Sequence, residues 1–217
     1  FVAQNREYVT WTGTLLGEKV SVVSTGIGCP STAIAVEELI EAGADTLIRV
    51  GSSGSMQPYV HTGDVVVVTA AIRDEGTTTH YLPMEFPAVA NIDVVNALSA
   101  GAKKLGLNFH TGVCQSKDSF YGEVERPRMP MAQHLADRWN AWIAGGAVCS
   151  EMEAAALFII SAIHRKRAGG AMLVINESDL AEVADADAAK HMAEFDADRV
   201  IKVAIEGLKQ LITADRT

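Results

Sequence analysis

Short apolar runs alternate with segments of helical periodicity along the chain. Four short runs have the length of buried strands, and three of them are rich in valine, leucine and isoleucine. They cover residues 47 to 50, 64 to 71, 171 to 175 and, less apolar, 112 to 117. Apolar residues at helical spacing predict helices between and after these runs, over residues 31 to 43, 92 to 105, 132 to 143, 150 to 163 and 186 to 213. Strands that alternate with helices predict a single α/β domain with a mixed, mostly parallel central sheet flanked by helices.

The segments outside these elements are a hairpin and three loops. Residues 8 to 15 alternate bulky and small polar side chains, and a turn leads from them to a second strand over 19 to 24, which predicts a β-hairpin. The loops cover residues 73 to 87, 118 to 131 and 176 to 185. Long loops in compact domains are usually functional, so the loop over 118 to 131 is a candidate binding segment.

Composition narrows the classes of ligand. With 217 residues, of which 48% are hydrophobic, the chain can bury one good core. Its net charge of -9 argues against nucleic acid and against an anionic membrane surface as partners. No apolar segment reaches the length that a bilayer span needs, and the start of the chain has no signal-peptide pattern. We therefore expect small-molecule ligands.

The cysteines bear on the cellular compartment. There are three of them, Cys29, Cys114 and Cys149, and they are widely spaced in apolar surroundings. An odd number at such spacings supports neither a disulfide framework nor a Cys-x-x-Cys metal site. The sequence thus predicts a reducing, cytoplasmic compartment.

A single arginine, Arg49, lies within the apolar run at 47 to 50, and the glycines and serines of Gly51 to Ser55 predict a loop after it. Arginine is rarely buried without a partner. A guanidinium binds a tetrahedral oxyanion through two parallel hydrogen bonds, and small residues can add backbone N–H groups and hydroxyls to an anion cradle. Two interpretations stay open: a phosphate site, or an arginine paired with a core carboxylate beside an ordinary turn.

Two further positions allow both a functional and a structural interpretation. Glu153 enters a helix that is apolar almost all round, and a pair of sugar hydroxyls or the N–H groups of its own helix would satisfy the carboxylate. Phe120 and Tyr121, in the loop over 118 to 131, can stack on a planar base or fill the core.

Six motifs, taken together, resemble the nucleoside phosphorylase-I superfamily and, within it, the uridine phosphorylase family. They are Arg6 to Tyr8, Ser24 to Ser31, Arg49 to Gly54, Glu85 to Val89, Lys117 to Gly122 and Ser150 to Glu153. The match runs in order over essentially the whole chain, so it is far more specific than any one motif. It implies a nucleoside phosphorylase-like fold, with residues 1 to 217 forming one such domain.

The resemblance implies roles for residues on the phosphate and ribose side. Arg49 and Ser52 would hold phosphate, and Arg6 would reach the phosphate of a neighbouring subunit's site. Glu153 would bind the ribose hydroxyls, with Met152 beside the sugar, and Arg49 and Glu153 would be the catalytic residues. Phosphate is then the co-substrate, and no other cofactor is implied.

The resemblance also implies assembly and a cation. Glu7, Ile27 and Ser31 match positions where uridine phosphorylases hold a monovalent cation between two subunits, which makes potassium a candidate ligand. The minimal unit would be a homodimer, and the family suggests a hexamer made of three such dimers.

One position on the base side discriminates between purines and pyrimidines. Purine-cleaving relatives carry an aspartate acid after the last strand, and Asn176 stands at that position here. A uracil leaving group can depart as an anion held by hydrogen bonds, so Asn176 favours a pyrimidine. Phe120 would pack on that base.

The loop after Phe120 departs from the family pattern. Uridine phosphorylases have a glutamine there that reads the uracil amide edge, whereas Glu123 or Val124 stands in its place in this chain. An ionised glutamate accepts hydrogen bonds but cannot donate to a carbonyl. Arg126 or Arg128 would have to donate instead.

The N-terminus is a second departure. Family members begin with a strand that ends in Gly-Asp-Pro-x-Arg, whose arginine binds phosphate, and a histidine precedes it; neither is present here. The chain starts at Phe1, so we expect either that an N-terminal strand is missing or that a divergent member functions without it.

The function that these residues favour is phosphorolysis of uridine to uracil and ribose 1-phosphate. The alternatives are a purine nucleoside phosphorylase or hydrolytic nucleosidase, and a nucleoside-binding relative without turnover.

Overall fold

The computed structural model of the chain describes residues 1 to 177 and 196 to 216. Its strands are β1 (Ala3–Asn5), β2 (Tyr8–Leu15), β3 (Glu18–Val23), β4 (Thr46–Ser55), β5 (Val65–Asp74), β6 (Ala88–Val89), β7 (Phe109–Lys117), β8 (Cys149–Glu151) and β9 (Arg167–Asn176). Its helices are α1 (Cys29–Glu41), α2 (Ile92–Lys104), α3 (Phe120–Val124), α4 (Ala132–Ala144), α5 (Ala154–Ile163) and α6 (Asp198–Ala214). Short 3₁₀ turns lie at Thr77–His80 and Arg126–Arg128.

The main sheet closes on itself. Its strands follow the order β6-β5-β7-β8-β4-β9, and β5 also pairs with β9, so five of these strands form a barrel. The ladders β4–β9, β5–β7 and β7–β8 are parallel, whereas β4–β8, β5–β9 and β5–β6 are antiparallel. The α/β class and the mixed sheet are confirmed, but the mostly parallel sheet is not. Apolar runs predict where strands lie and carry no information on their direction.

The core fills the barrel and the space beneath its helices. The valines at 65 to 68 are fully buried, as a strand covered on both faces requires. Helix α5 is buried along most of its length and packs on α1, while α2 packs on α6. In the part of the chain that is described, no helix is long and apolar enough to cross a membrane.

The N-terminal hairpin is confirmed and gains a third strand. Strands β1, β2 and β3 form an antiparallel sheet, with Trp11 opposite Val22. These two side chains are 56% and 69% exposed, and Phe1 packs edge-on against Trp11 at 5.5 Å between ring centroids. One face of this small sheet therefore presents apolar groups to solvent.

Two predicted boundaries near the strand ends are wrong. The glycine and serine segment is not a loop, because residues 51 to 53 continue β4 and pair with β9, and the irregularity comes later, between Ser53 and Gly54. Ser150 does not begin a helix, because it lies in β8, and α5 begins at Ala154. Most of the acidic loop predicted over 176 to 185, from 178 onward, and residues 186 to 195 of the predicted terminal helix lie outside the described residues.

Candidate active site

Arg49 lies at the centre of the candidate site. Its Nε donates to Oε2 of Glu151 at 2.7 Å, and its Nη2 contacts Oε2 of Glu153 at 2.5 Å. Burial opposes the charge of the guanidinium, but the two carboxylates outweigh that effect and raise the pKa of Arg49 above its usual value. The arginine stays cationic and keeps a fixed direction.

Gly51 makes room for this arginine. A Cβ at Gly51 would lie 2.6 Å from Nη1 and 2.9 Å from Cζ of Arg49, closer than van der Waals contact allows. Residues 49 and 51 lie on the same face of β4, since strand side chains alternate. The guanidinium can therefore lie flat along the strand only because position 51 has no side chain.

Glu151 was not among the site residues predicted from the sequence. It is 3% exposed, and its carboxylate accepts from the backbone N–H groups of Glu153 and Ala154, at 2.8 and 2.9 Å, as well as from the hydroxyl of Ser116. These groups lie at the start of α5, where unpaired N–H groups favour an anion. The sequence signal for Glu151 was that two acidic residues, and not Glu153 alone, precede the apolar helix.

Glu153 is held from two sides. Its Oε1 accepts from the backbone N–H of Gly28 at 2.6 Å, and its Oε2 faces Arg49. Although Glu153 occupies the N-cap position of α5, its side chain makes no capping hydrogen bond. Its partners are therefore the arginine and the loop before α1, and the N–H groups of its own helix are taken by Glu151.

The remaining predicted phosphate and ribose residues have no hydrogen bond to Arg49 in the described part of the chain. Ser52 is exposed on β4, and Met152 is half-buried and accepts a hydrogen bond from Cys29 Sγ through its carbonyl, at 3.3 Å. Arg6 is exposed in the turn between β1 and β2 with φ of 52°, a conformation that residues other than glycine seldom adopt. Within the described residues, no hydrogen bond links Arg6 to Arg49 or Ser52.

The base-side residues fall into two groups. Asn176 ends β9 beside Gly54, where a Cβ would lie 2.9 Å from the Asn176 Oδ1 atom. Phe120 and Tyr121 stand on α3, 52% and 54% exposed, with their rings edge-on at 5.6 Å. Phe120 is thus not a core residue, which favours the first of its two interpretations.

Two residues of the second group, Glu123 and Arg126, line a cleft of about 130 Å³ between the ends of β5 and β7 and the helices α3 and α4. Arg126 lies in its wall, with the guanidinium carbon 4.9 Å from the ring centre of Trp139. Burial lowers the pKa of Arg126, against the opposing effect of Glu123. Arg128 is exposed, pairs with Glu125 and lies over Tyr121 at 5.2 Å.

Glu123 lines the same cleft, but its carboxylate has protein partners. It is 7% exposed, and its Oε2 lies 2.9 Å from Lys117 Nζ and 2.6 Å from Ser150 Oγ. The structure therefore gives Glu123 an ion pair in place of a free edge for a base. Neighbouring Val124, the other residue in the glutamine's place, is half-buried on α3.

Of the three predicted cation residues, Glu7 and Ser31 are in contact. Glu7 Oε1 accepts from the hydroxyl of Ser31 at 2.7 Å, and this hydrogen bond lowers the pKa of Glu7. The same hydroxyl lies 2.6 Å from the carbonyl of Thr25 and 3.1 Å from the hydroxyl of Tyr8. Ile27 is 79% exposed nearby in the chain.

Comparison with known proteins places the chain in a family. The family model of the phosphorylase superfamily matches residues 1 to 213. The chain belongs to the phosphorylase superfamily. Residue by residue, it is 48% identical to the uridine phosphorylase of Treponema pallidum over 99% of this chain and 81% of that protein. It is 38% identical to the uridine phosphorylase of Escherichia coli over 97% of this chain and 83% of that protein.

A relative with a purine name is also similar. The guanosine phosphorylase of Halorubrum lacusprofundi is 39% identical over 77% of this chain and 65% of that protein. Overall identity therefore does not separate the two classes of base, and the residues at the base side have to be considered individually.

Proposed function

We propose that this chain cleaves uridine with inorganic phosphate, releasing uracil and ribose 1-phosphate. The observation that carries the proposal is the 2.5 Å contact between Arg49, within β4, and Glu153, at the start of α5. A guanidinium suited to an oxyanion lies beside a carboxylate suited to sugar hydroxyls. Two substrates bound to these groups would be adjacent.

The buried pair defines what substrate binding must do. Nη2 of Arg49 is turned toward Glu153, while its Nε is held by Glu151. A phosphate that takes over Nη2 releases the Oε2 atom of Glu153 for the ribose hydroxyls. The Nε contact keeps the arginine in place while its outer nitrogens change partner.

The reaction then follows from the placement of charge. One phosphate oxygen forms a bond to the anomeric carbon as the bond from that carbon to the base nitrogen breaks, and the bonding electrons leave with the base. The transition state resembles an oxocarbenium ion, as in glycoside hydrolysis, and the phosphate charge stabilises it. The uracil anion takes a proton from solvent after departure.

The choice of base rests on Asn176. An amide donates and accepts hydrogen bonds but supplies no proton at neutral pH, so a purine would leave without the protonation that it needs. Uracil leaves as a stabilised anion, with Phe120 packing on its ring and Arg126 or Arg128 donating to a carbonyl. Glu123 is given no contact with the base in this proposal, because its carboxylate pairs with Lys117; it helps to position the loop over 118 to 131.

Uracil release from uridine, measured with and without phosphate, tests the proposal, with inosine and guanosine run in parallel. We expect phosphate-dependent release from uridine alone. Asn176→Asp should not by itself create activity toward inosine, because the pocket and the loop over 118 to 131 must also fit the larger ring. Faster cleavage of a purine nucleoside would overturn the choice of base. Release without phosphate would indicate a hydrolase, and binding without turnover a nucleoside-binding protein.

The proposed assembly is a homodimer that associates further into a hexamer. Arg6, exposed in its turn, would complete the phosphate site of a neighbour, and a two-fold axis makes that exchange reciprocal. The exposed pair of Trp11 and Val22 on the N-terminal sheet supports burial against another subunit. Light scattering that finds a fully active monomer would refute this assembly.

The proposed cation would lie among the oxygen atoms around Ser31. Ser31 and Tyr8 bring two hydroxyl hydrogens to a group that also contains the Glu7 carboxylate and the Thr25 carbonyl. Such a group has more acceptors than hydrogens, which suits a hard cation such as potassium. Within the described residues, no cluster of three or more His, Cys, Asp or Glu could hold a metal.

The proposed setting is a reducing, cytoplasmic one. Cys29, Cys114 and Cys149 are all buried and unpaired, and burial raises the pKa of Cys149 to about 12. Thiols of this kind are unreactive, and they are typical of proteins that do not rely on disulfides.

A further inference from the structure

A buried ion pair ties the base-side loop to the sheet. Lys117, the last residue of β7, is 5% exposed, and its Nζ lies 2.9 Å from the Oε2 atom of Glu123 on α3. A lysine in such a place needs a partner, because an isolated buried charge is very unfavourable. The pair holds together two segments that are separated by the turn into α3.

Ser150 joins the same pair to the phosphate and ribose side. Its hydroxyl lies 2.6 Å from Lys117 Nζ and 2.6 Å from Glu123 Oε2, and it also reaches Oε1 of Gln115 at 2.9 Å. Ser150 precedes Glu151, the residue that holds Arg49. One hydroxyl therefore links the loop to the strand that orients the phosphate arginine.

The loop needs such an anchor. Helix α3 has five residues, too few to be stable by itself, and its two aromatic side chains are about half exposed. Its N-cap contact, from the Gly122 N–H to Ser119 Oγ, lies within the loop, as does the pair of Glu125 and Arg128. These local contacts shape α3 but do not fix where it lies against the sheet.

We propose that Lys117 is a positioning residue for nucleoside recognition, acting through Glu123 and Ser150 to fix α3 and with it Phe120 and Arg126. The inference rests on the proposed function for its kinetic readout. Lys117 is buried in the wall of the cleft that Glu123 and Arg126 also line, and it is not assigned a contact with substrate.

Three variants and one control test the proposal: Lys117→Met, Glu123→Gln, the double variant, and Lys104→Met. The control removes another lysine and glutamate pair, Lys104 with Glu206 at 2.6 Å, on the surface between α2 and α6. We expect Lys117→Met to raise the KM for uridine about tenfold, a change whose free energy lies within the range of interaction energies between residues in contact. The KM for phosphate should stay within about twofold, because Glu151 holds Arg49 and is itself held by Ser116 and the start of α5, without Lys117. Lys104→Met should change neither constant.

The double variant shows whether Lys117 acts through Glu123. If it does, adding Lys117→Met to Glu123→Gln raises the KM for uridine no further, because one interaction has been removed twice. Additive effects would overturn the proposal, and so would equal rises in both KM values. Should Lys117→Met fail to fold, Glu123→Gln, which keeps the size of the side chain, carries the same kinetic test.

Limited trypsin digestion reads the loop position without any activity. Arg128, in this loop and followed by Met129, is exposed. We expect faster cleavage after Arg128 in Lys117→Met than in the parent or in Lys104→Met, with the melting temperatures recorded in parallel. An unchanged rate would overturn the positioning role. A parent chain that does not cleave uridine would refute the proposed function, and the digestion would still test the loop.

Discussion

Arg49 and Glu153 are held by strand ends and backbone N–H groups, whereas Phe120 and Tyr121 stand half exposed on a five-residue helix. The difference follows from what each side has to recognise. Charged groups keep a useful direction only if neighbouring dipoles and ions fix them before the substrate arrives. A flat neutral base needs only surface and a few donors, which a short loop can supply. The phosphate side is thus built from buried charge, and the base side depends on an anchor.

Arg49→Ala should have the largest effect of the changes considered. It removes the cation that would hold the attacking phosphate, and we expect a loss of about 2 to 4 kcal/mol in transition-state stabilisation, measured as kcat/KM. Arg167→Ala is the matched control, because Arg167 also pairs with an acidic residue, Asp215. Arg167 is the first residue of β9, at the opposite end of that strand from Asn176. A near-normal rate at saturating phosphate would limit Arg49 to ground-state binding.

Gly51→Ala tests the phosphate side by adding a methyl group, without removing any charged group. The new methyl group would displace the guanidinium of Arg49. Overpacking of this kind costs about 1 to 3 kcal/mol of folding stability. We expect a higher KM for phosphate and a lower kcat. Gly13→Ala, on β2 with no atom of the described residues within 4 Å of its Cβ position, should leave both constants unchanged. Normal phosphate kinetics in Gly51→Ala would show that the arginine can bind phosphate in another rotamer.

Phe120→Ala examines the base side. Loss of an aromatic contact with the base is worth about 0.5 to 1.5 kcal/mol, so the KM for uridine should rise severalfold while the KM for phosphate stays constant. Tyr59→Ala, an exposed aromatic residue outside this loop, serves as the control. Equal effects on both substrates would mean that the two sides are not independent.

The smallest effect is expected at the proposed cation site. Replacing potassium by a bulky organic cation in the assay buffer should lower activity modestly in the parent chain, because the dimer contact around Glu7 and Ser31 would be weakened. Glu7→Gln should abolish that dependence on potassium. A parent enzyme equally active in both buffers would argue against a bound cation.

The sequence predicted the kind of partner that Arg49 needs, but it did not predict all the residues that surround it. An arginine in an apolar run had to meet either a core carboxylate or an oxyanion. The structure supplies two carboxylates, and the proposed phosphate would take over the outer nitrogen that now contacts Glu153. The two interpretations are therefore compatible. By contrast, Glu151 was overlooked because its helix was expected to begin at Ser150, and that boundary depends on a three-residue strand with no pattern of its own.

The sequence by itself determined the segments: apolar runs for strands, helical spacing for helices, and the ordered motifs that place the chain in its superfamily. These are properties of neighbouring residues and need no long-range information. Only the tertiary structure decided the strand directions, the closure of the barrel and the partner of each buried charge. Arg49 and Glu151 are 102 positions apart, and Lys117 and Ser150 are 33 apart. Which buried charged and polar groups meet over such distances depends on how the strands are ordered, and that order comes from the packing of the whole core.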